Sequence, residues 1–353
     1  GRVAVIRGRV VTREGTPLEG VTVTVRDHPE FGQTLTRADG MLDMAVNGGG
    51  ELTGNLEKEG YLSAQRNIDV PWRDYLWLPD MVITGADPAV TSIDFSAPMQ
   101  VARGSVVTDN DGTRQATILF PQGAKATMVS KTGRRSKLGQ MSVRLTEYTS
   151  GATWKEAMPA DLPDYCSYTY CFEASADEAI KADAKRVEFA EPVLMYVENF
   201  VGFPVGSIVP TGLYDRSKGE WEASEDGRVI KVTGESGGIA AIDSDGDDIA
   251  DDAPALAALG FSDAELQRVA ELYEPGQTLW RSRLRHFSPC DPNWPVMPDD
   301  ADWPPGRHPT IFDWFNGRMC RKGGSIVDFQ NQALGQALPI VGTEFTLNYW
   351  SSR

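Results

Sequence analysis

Apolar and polar residues alternate in short runs along most of this chain, and that period of two predicts strand after strand. Val3 and Val5, and residues 8–11 after them, are read as alternating with arginine. Strands follow over 21–25, 41–46, 51–57 and 62–70, with turns at 16–20, 38–40, 47–50 and 58–61. A second set covers 91–95, 104–108, 113–120, 125–129, 141–148, 168–174, 187–198 and 227–232. The runs 104–108 and 113–120 read as a hairpin closed by Asp111-Gly112. The period lengthens to that of a helix over 263–273. There Leu266, Val269, Ala270 and Tyr273 share a face, Ser262 and Glu265 form a capping box, and Pro275-Gly276 ends the run. A shorter helical segment is expected over 177–183. Near the chain's end, two strands flank a Gly/Pro turn. The last carries Phe345, Leu347 and Tyr349 on one face and Thr346, Asn348 and Trp350 on the other. Unpaired strand edges are a liability, so a larger β structure is expected to follow.

The fold class expected is therefore mainly β: tandem β-sandwich domains with one or two short helices, then an extended linker and the first strands of a larger β-shell. The expected divisions are 1–83, a first sandwich; 84–289, a larger β unit; 290–322, a linker; and 323–353, the start of the shell. The linker is rich in Pro and Asp and carries Trp294, Trp303 and Trp314, which would anchor it to another surface.

Composition narrows the function classes. The 353 residues carry 34 Lys and Arg against 50 Asp and Glu, a net charge of −16. Nucleic-acid binding by counterion release needs clustered cations, so no nucleic-acid partner is expected. The basic group Lys131, Arg134, Arg135 and Lys137 reads as a solvated loop. No apolar run approaches the roughly 20 residues of a membrane-spanning helix, and residues 253–261 fall far short. The first residues already read as a strand, so no signal peptide is expected among them.

The four cysteines fall in two neighbourhoods, Cys166 with Cys171 and Cys290 with Cys320. Neither pair has the spacing of a zinc knuckle or a redox motif. At least one disulfide is expected, Cys290–Cys320 being favoured because it would pin the linker; four buried thiols are the alternative.

Three resemblances attach to particular residues. The order Gly8-x-Val, Pro17-Leu-x-Gly-Val-x-Val-x-Val25, Thr36-x-Ala-Asp-Gly40 and Lys58-x-Gly-Tyr61 resembles the transthyretin-like (carboxypeptidase regulatory-like) domain. That family implies a spacer or adhesion module and no activity, with Ala38-Asp39-Gly40 as a tight turn. Gly323-Gly-Ser-Ile-Val, Asn331-Gln-Ala-Leu-Gly, Leu338-Pro-Ile-Val-Gly-Thr and Phe345-Thr-Leu-Asn-Tyr resemble the entry to the repeats of bacterial RHS/YD-repeat proteins, relatives of teneurins and polymorphic toxins. Residues 190–231, by position more than by motif, resemble the domain preceding those repeats, called the FN-plug in teneurins. The resemblance implies a secreted or cell-surface protein whose shell encloses a C-terminal cargo, often a toxin, and whose plug seals or braces the shell.

The sharpest candidate chemistry is Asp243-Ser-Asp-Gly-Asp-Asp-Ile-Ala-Asp-Asp252. Asp243, Asp245, Asp247 and Asp251 sit at the spacing of oxygen ligands in a short Ca²⁺ loop, with Asp252 beside them and Gly246 at the turn. So many carboxylates repel one another without a counter-ion. The pattern resembles thrombospondin type 3 and dockerin loops. It departs from an EF-hand at Asp248 and Pro254. The ion expected is structural, and the alternative is an acidic loop capping the next helical segment. Asp109-Asn-Asp111 reads as a turn. Gly234-Glu-Ser-Gly-Gly238 fits Gly-x-Ser-x-Gly, yet strand and helix do not flank Ser236 as a nucleophile elbow requires. Nor does the sequence around His28, His286 or His308 look catalytic. A zinc site from His286, Cys290, His308 and Cys320 has irregular spacing. No catalytic residue is expected. The function expected is a non-enzymatic structural plug or scaffold, whose partners are the downstream shell and cargo. A calcium-dependent adhesion module, binding a cell-surface receptor or glycan, is the alternative.

Overall fold

The computed structural model describes residues 3–162 and 169–292, and the backbone of two further strands, Gly335–Pro339 and Thr346–Trp350. Residues 1–295 cluster as one compact unit and 296–353 as another. In the second unit, Gly335–Pro339 pairs antiparallel with Thr346–Trp350, Gly335 opposite Trp350, as the alternating pattern predicts. The linker tryptophans lie outside the described residues.

The first unit opens with a sandwich of two four-stranded sheets. In one, Val3–Val11 is central, antiparallel to Met41–Asn47 and parallel to Tyr75–Trp77 and Met81–Val82. In the other, the order is Gln33–Leu35, Thr22–Val25, Gly50–Glu57, Ala64–Val70. At the start of the first strand the inward face is the opposite of the one expected: Val3 is exposed and Val5 half-buried, whereas Ala4, Ile6 and Val10 meet Val21, Val23 and Val25 across a core that Leu42, Met44, Leu56 and Ile68 complete. Gly40 has φ 76°, and a Cβ there would lie 2.5 Å from the Val10 carbonyl, so this turn excludes any side chain.

A second, larger sandwich follows. Its nine-stranded sheet centres on Ala184–Glu198 and Thr278–Phe287, and its six-stranded sheet contains Gln140–Glu147, Phe172–Ala176, Thr211–Asp215 and Pro289–Pro292. Ile118, Met195, Val197, Val229 and Trp280 from the larger sheet pack on Ile93, Val143, Leu145, Phe172 and Leu213 from the smaller. The larger sheet is covered on its other face too. Leu119, Leu194, Tyr196, Ile230 and Leu279 lie beneath Leu256, Leu266 and Val269 of two helices, Ala253–Ala258 and Asp263–Leu272, and beneath Tyr273, which follows the second. Burial on both faces explains the unbroken apolar runs 118–120 and 193–197. Pro192 cannot donate to a ladder, and the register of Ala184–Glu198 shifts there. Ala126–Ser130 pairs with the half before the shift and Thr117–Phe120 with the half after it.

Three further expectations change. The 104–120 hairpin is shorter than expected: Val107–Asp109 pairs with Gly112–Arg114, and Thr117–Phe120 joins the large sheet instead. The 177–183 segment is helical only over Asp177–Lys181. The linker does not begin at Cys290, which lies in strand Pro289–Pro292, opposite Phe172 and Leu213. Cys290 and Cys171 are buried free thiols. The expected disulfide partners, Cys320 and Cys166, fall outside the described residues.

Candidate functional site

The acidic loop joins strand Ile239–Asp243 to helix Ala253–Ala258. Asp243 is buried at the strand's end, while Asp245 and Asp247 are exposed. Asp243 Oδ1 accepts from the Asp245 and Gly246 amides at 3.1 and 2.7 Å, and its Oδ2 from the Asp248 amide at 3.0 Å. Asp245 and Asp247 accept from the amides two residues on. Successive amide-to-carboxylate bonds curl the backbone inward, and Gly246 (φ 90°) presses on Val205, where a Cβ would lie 2.7 Å from the carbonyl oxygen. The result is convergence: one carboxylate oxygen each from Asp243, Asp245 and Asp247 lies within 4.8 Å of the others. Ligands that each sit about 2.4 Å from one Ca²⁺ are at most about 4.8 Å apart, so these three fit an ion of that size.

The other two residues of the expected set do different work. Asp251 Oδ2 accepts from the Ser244 amide at 2.9 Å and ties the loop's two ends together. Asp252 is the N-cap of the helix, accepting from the Ala255 amide at 2.9 Å. Capping, the alternative reading of this loop, therefore holds for Asp252. Asp248 pairs with Lys231 Nζ at 2.6 Å.

No nucleophile elbow forms around Ser236. It ends strand Gly227–Ser236, and Gly237-Gly238 turns the chain directly into the next strand rather than a helix. The hydrogen bonds of His28 and His286 go to Glu30 and Ser288.

A second feature, invisible to sequence reading, is the seam between the two sandwiches. Tyr214 Oη donates to Gln65 Oε1 at 2.6 Å, and Gln65 Nε2 donates to the Arg216 carbonyl at 3.0 Å. Burial pushes the Tyr214 hydroxyl up to about 12, so it remains a donor. Arg216 donates to the Ser63 carbonyl at 2.8 Å while its other contacts engage Glu173. Arg13 reaches across to the Glu147 carbonyl and to Ser150 Oγ at 2.5 and 2.7 Å. Leu62 packs with Tyr148, Met158 and Cys171, and Val11 and Val82 pack with Ala157. Beside the seam runs a cleft of about 350 Å³ bordered by Arg13, Glu14, Asp87, Ser105 and Glu147. Its buried polar groups already satisfy one another: Asp87 accepts from both the amide and the hydroxyl of Ser105 at 2.9 Å. Asp109, read as part of a turn, also grips Arg114 through two bonds of 2.8 Å, and Arg114 goes on to Glu147. That guanidinium holds the Asp109 carboxyl below its ordinary range, whereas burial pushes Glu147 up.

Among the described residues no helix is long and apolar enough to cross a membrane. Comparison with known proteins places the likeness at the N-terminal end. The teneurin TTR-like domain family matches residues 1–83. The chain is 38% identical to teneurin-3 of Danio rerio over 94 residues, 27% of this chain and 4% of that protein. It is 28% identical to human teneurin-4 over 155 residues, 42% of this chain and 6% of that one. Over 82 residues, 23% of this chain and 3% of the relative, it is 44% identical to teneurin-m of Drosophila melanogaster. Among solved structures, a streptococcal ancillary pilin aligns at 10% identity and a TM-score of 0.21, over 39% of this chain and 59% of the pilin, too low for any common fold to follow. These matches point to no catalytic family. The N-terminal region of this chain is teneurin-like.

Proposed function

We propose that this region is a non-enzymatic brace at the entrance of a larger RHS/YD-repeat shell, in an extracellular protein whose shell encloses a C-terminal cargo. The observation that carries the reading is the seam. A spacer on a flexible tether needs few contacts with its neighbour. Here Gln65, Tyr214, Arg216 and Arg13 tie the teneurin-like sandwich to the larger one through one buried and three part-buried hydrogen bonds, beside apolar contacts. Closing a container calls for a block of fixed shape, supplied by packing rather than by reactive groups. Residues 84–322 are the plug in this reading, and the bacterial toxin-delivery setting comes from the resemblance of residues 323–353. A structural Ca²⁺ ion, held by Asp243, Asp245 and Asp247, stiffens the connection between the large sheet and its helical cover.

The test is to express the chain with the repeats that follow it and image the particles. A closed particle that opens or fails to assemble when residues 84–322 are deleted is the expected result. Equal closure after the deletion contradicts the brace.

A further inference from the structure

We propose that the edge strand Arg135–Leu138 of the nine-stranded sheet is a docking site for an extended acidic peptide, which joins the sheet as one more strand. The basic group Lys131, Arg134, Arg135 and Lys137 builds this edge. Arg135–Leu138 folds back on Ala126–Ser130 as a hairpin, and Ala126–Ser130 in turn pairs with Ala184–Glu198. Among the described residues Arg135–Leu138 has no other strand partner, so one side of its backbone is open. The Ser130 amide donates to the Arg134 carbonyl at 2.9 Å. Alternation along the ladder then makes Arg135 and Lys137 the non-bonded partners of Val129 and Thr127, with their own N–H and C=O groups aimed at the open margin.

The side chains at this margin are cationic. Residues 121–139 contain Lys125, Lys131, Arg134, Arg135 and Lys137 and no Asp or Glu. The carboxylates around them lie outside the hairpin. Asp183 takes Lys131, and Glu188 is shared by Arg135 and Arg186. Asp94, past the end of the edge strand, bonds to Ser96 and Gln140. Glu191 is unpaired, but it lies on Ala184–Glu198, with Ala126–Ser130 between that strand and the edge. Lys125, Arg134 and Lys137 are exposed and pair with no carboxylate among the described residues. An excess of cations therefore borders the open backbone, in a chain that carries −16 overall.

Backbone and charge together select the partner. In an added antiparallel strand, the residues directly opposite Arg135 and Lys137 exchange backbone hydrogen bonds with them and carry side chains on the same face. Glu or Asp at those alternate positions meets both cations while the main chain completes the ladder. The same geometry turns away a second copy: antiparallel pairing of two such edges sets Arg135 and Lys137 against Arg135 and Lys137. Like charges on an edge strand guard against that association. A polyanion without a peptide backbone answers the cations but leaves the open N–H and C=O groups unused.

The experiment titrates the full chain into the end-blocked, fluorescently labelled peptide Thr-Glu-Val-Glu-Val-Glu-Thr and follows anisotropy. Saturable binding is expected, weakened at least tenfold between 0.05 and 0.5 M salt because the pairs are exposed. N-methylation of the three glutamate amides keeps the charge and removes the ladder donors, and is expected to weaken binding at least tenfold. Lys137→Glu is expected to do the same. Circular dichroism with thermal melts verifies its fold, and a glutamine version of the peptide makes the same comparison on the unaltered chain. Hydrogen exchange at the Arg135 and Lys137 amides is expected to slow when the peptide is bound. Absence of binding at millimolar peptide overturns the proposal. Equal binding of the N-methylated peptide overturns it too, because the edge is then only an anion-attracting surface. So does protection of those amides that grows with protein concentration without peptide, because the edge is then a contact between copies. The site does not depend on the brace, so the two readings fail separately.

Discussion

Glu265 and Arg281 join the helical cover to the large sheet through a pair shielded from water. Arg281 Nε donates to Glu265 Oε1 at 2.6 Å and Nη2 to Oε2 at 3.0 Å, with side-chain exposures of 6% and 0%. Tyr196 donates to the same carboxylate, and Arg281 stacks on Phe261 with its guanidinium carbon 3.8 Å from the ring centre. Removing one partner of such a pair leaves a buried charge without compensation, whereas replacing both with apolar residues of similar volume does not. Glu265→Ala is expected to lower unfolding stability by about 3–5 kcal/mol in urea titrations. Glu265→Leu combined with Arg281→Met is expected to recover much of that loss, as a double-mutant cycle measures.

This pair shows where sequence reading succeeded and where it stopped. The helix was legible, because Ser262 caps it by accepting from the Glu265 amide at 3.2 Å and Leu266, Val269 and Tyr273 recur on one face. The capping box was half right. Glu265 does not reach back to the cap; its side chain turns inward to an arginine sixteen residues on in a different element. Local spacing carries no information about a partner fixed only by tertiary packing. The same limit hid the seam: Gln65 and Tyr214 are ordinary strand residues until two sandwiches meet. The alternating strands of the first sandwich were readable because one face of each sheet is buried and the other wet. The strand Thr278–Phe287 is missing from the expected strands, since burial on both faces erases alternation. Of the expected calcium ligands, spacing alone could not distinguish Asp252, which caps a helix, from Asp243, Asp245 and Asp247, which converge.

Calcium dependence follows from that division. Millimolar Ca²⁺ is expected to raise the melting temperature of the chain, and EDTA to reverse the shift. Asp243→Asn is expected to abolish the response. Asp252→Ala is expected to retain it while costing about 1 kcal/mol from the lost cap. Calorimetry on the three proteins checks both statements, and an equal response in wild type and Asp243→Asn rules out the ion.

Stability is expected to fall in two stages on acidification. His286 is held below its ordinary value of 6.5, chiefly by burial and then by Arg186. Its stabilising contribution is complete above 6.5 and is lost as pH falls through the lower folded value, because the unfolded chain takes up the proton first. Asp43, Asp80 and Asp109 are held below 3.8 by their arginine partners, so their contribution is complete above about that pH and is lost beneath it. Glu147, raised by burial, acts in the opposite sense and gains relative stability as it protonates. Urea midpoints measured from pH 8 to pH 3 resolve the stages, and His286→Gln is expected to flatten the first.

The seam is expected to weaken when its hydrogen bonds are removed from one side. Tyr214→Phe leaves Gln65 Oε1 without its donor, a cost of about 1–3 kcal/mol for a buried group. Gln65→Ala removes bonds to both Tyr214 and the Arg216 carbonyl. Limited proteolysis of each variant is expected to cut faster at the junction near residues 84–88 than in wild type, while the rest of both sandwiches stays protected.

The account rests on the two sandwiches moving as one body. Pulsed electron-spin resonance between nitroxides at Glu51→Cys and Glu235→Cys, with Cys166 and Cys320 replaced by serine, measures this directly. A single narrow distance distribution that broadens in Gln65→Ala is the expected result; a broad distribution in the otherwise unaltered protein contradicts the rigid brace.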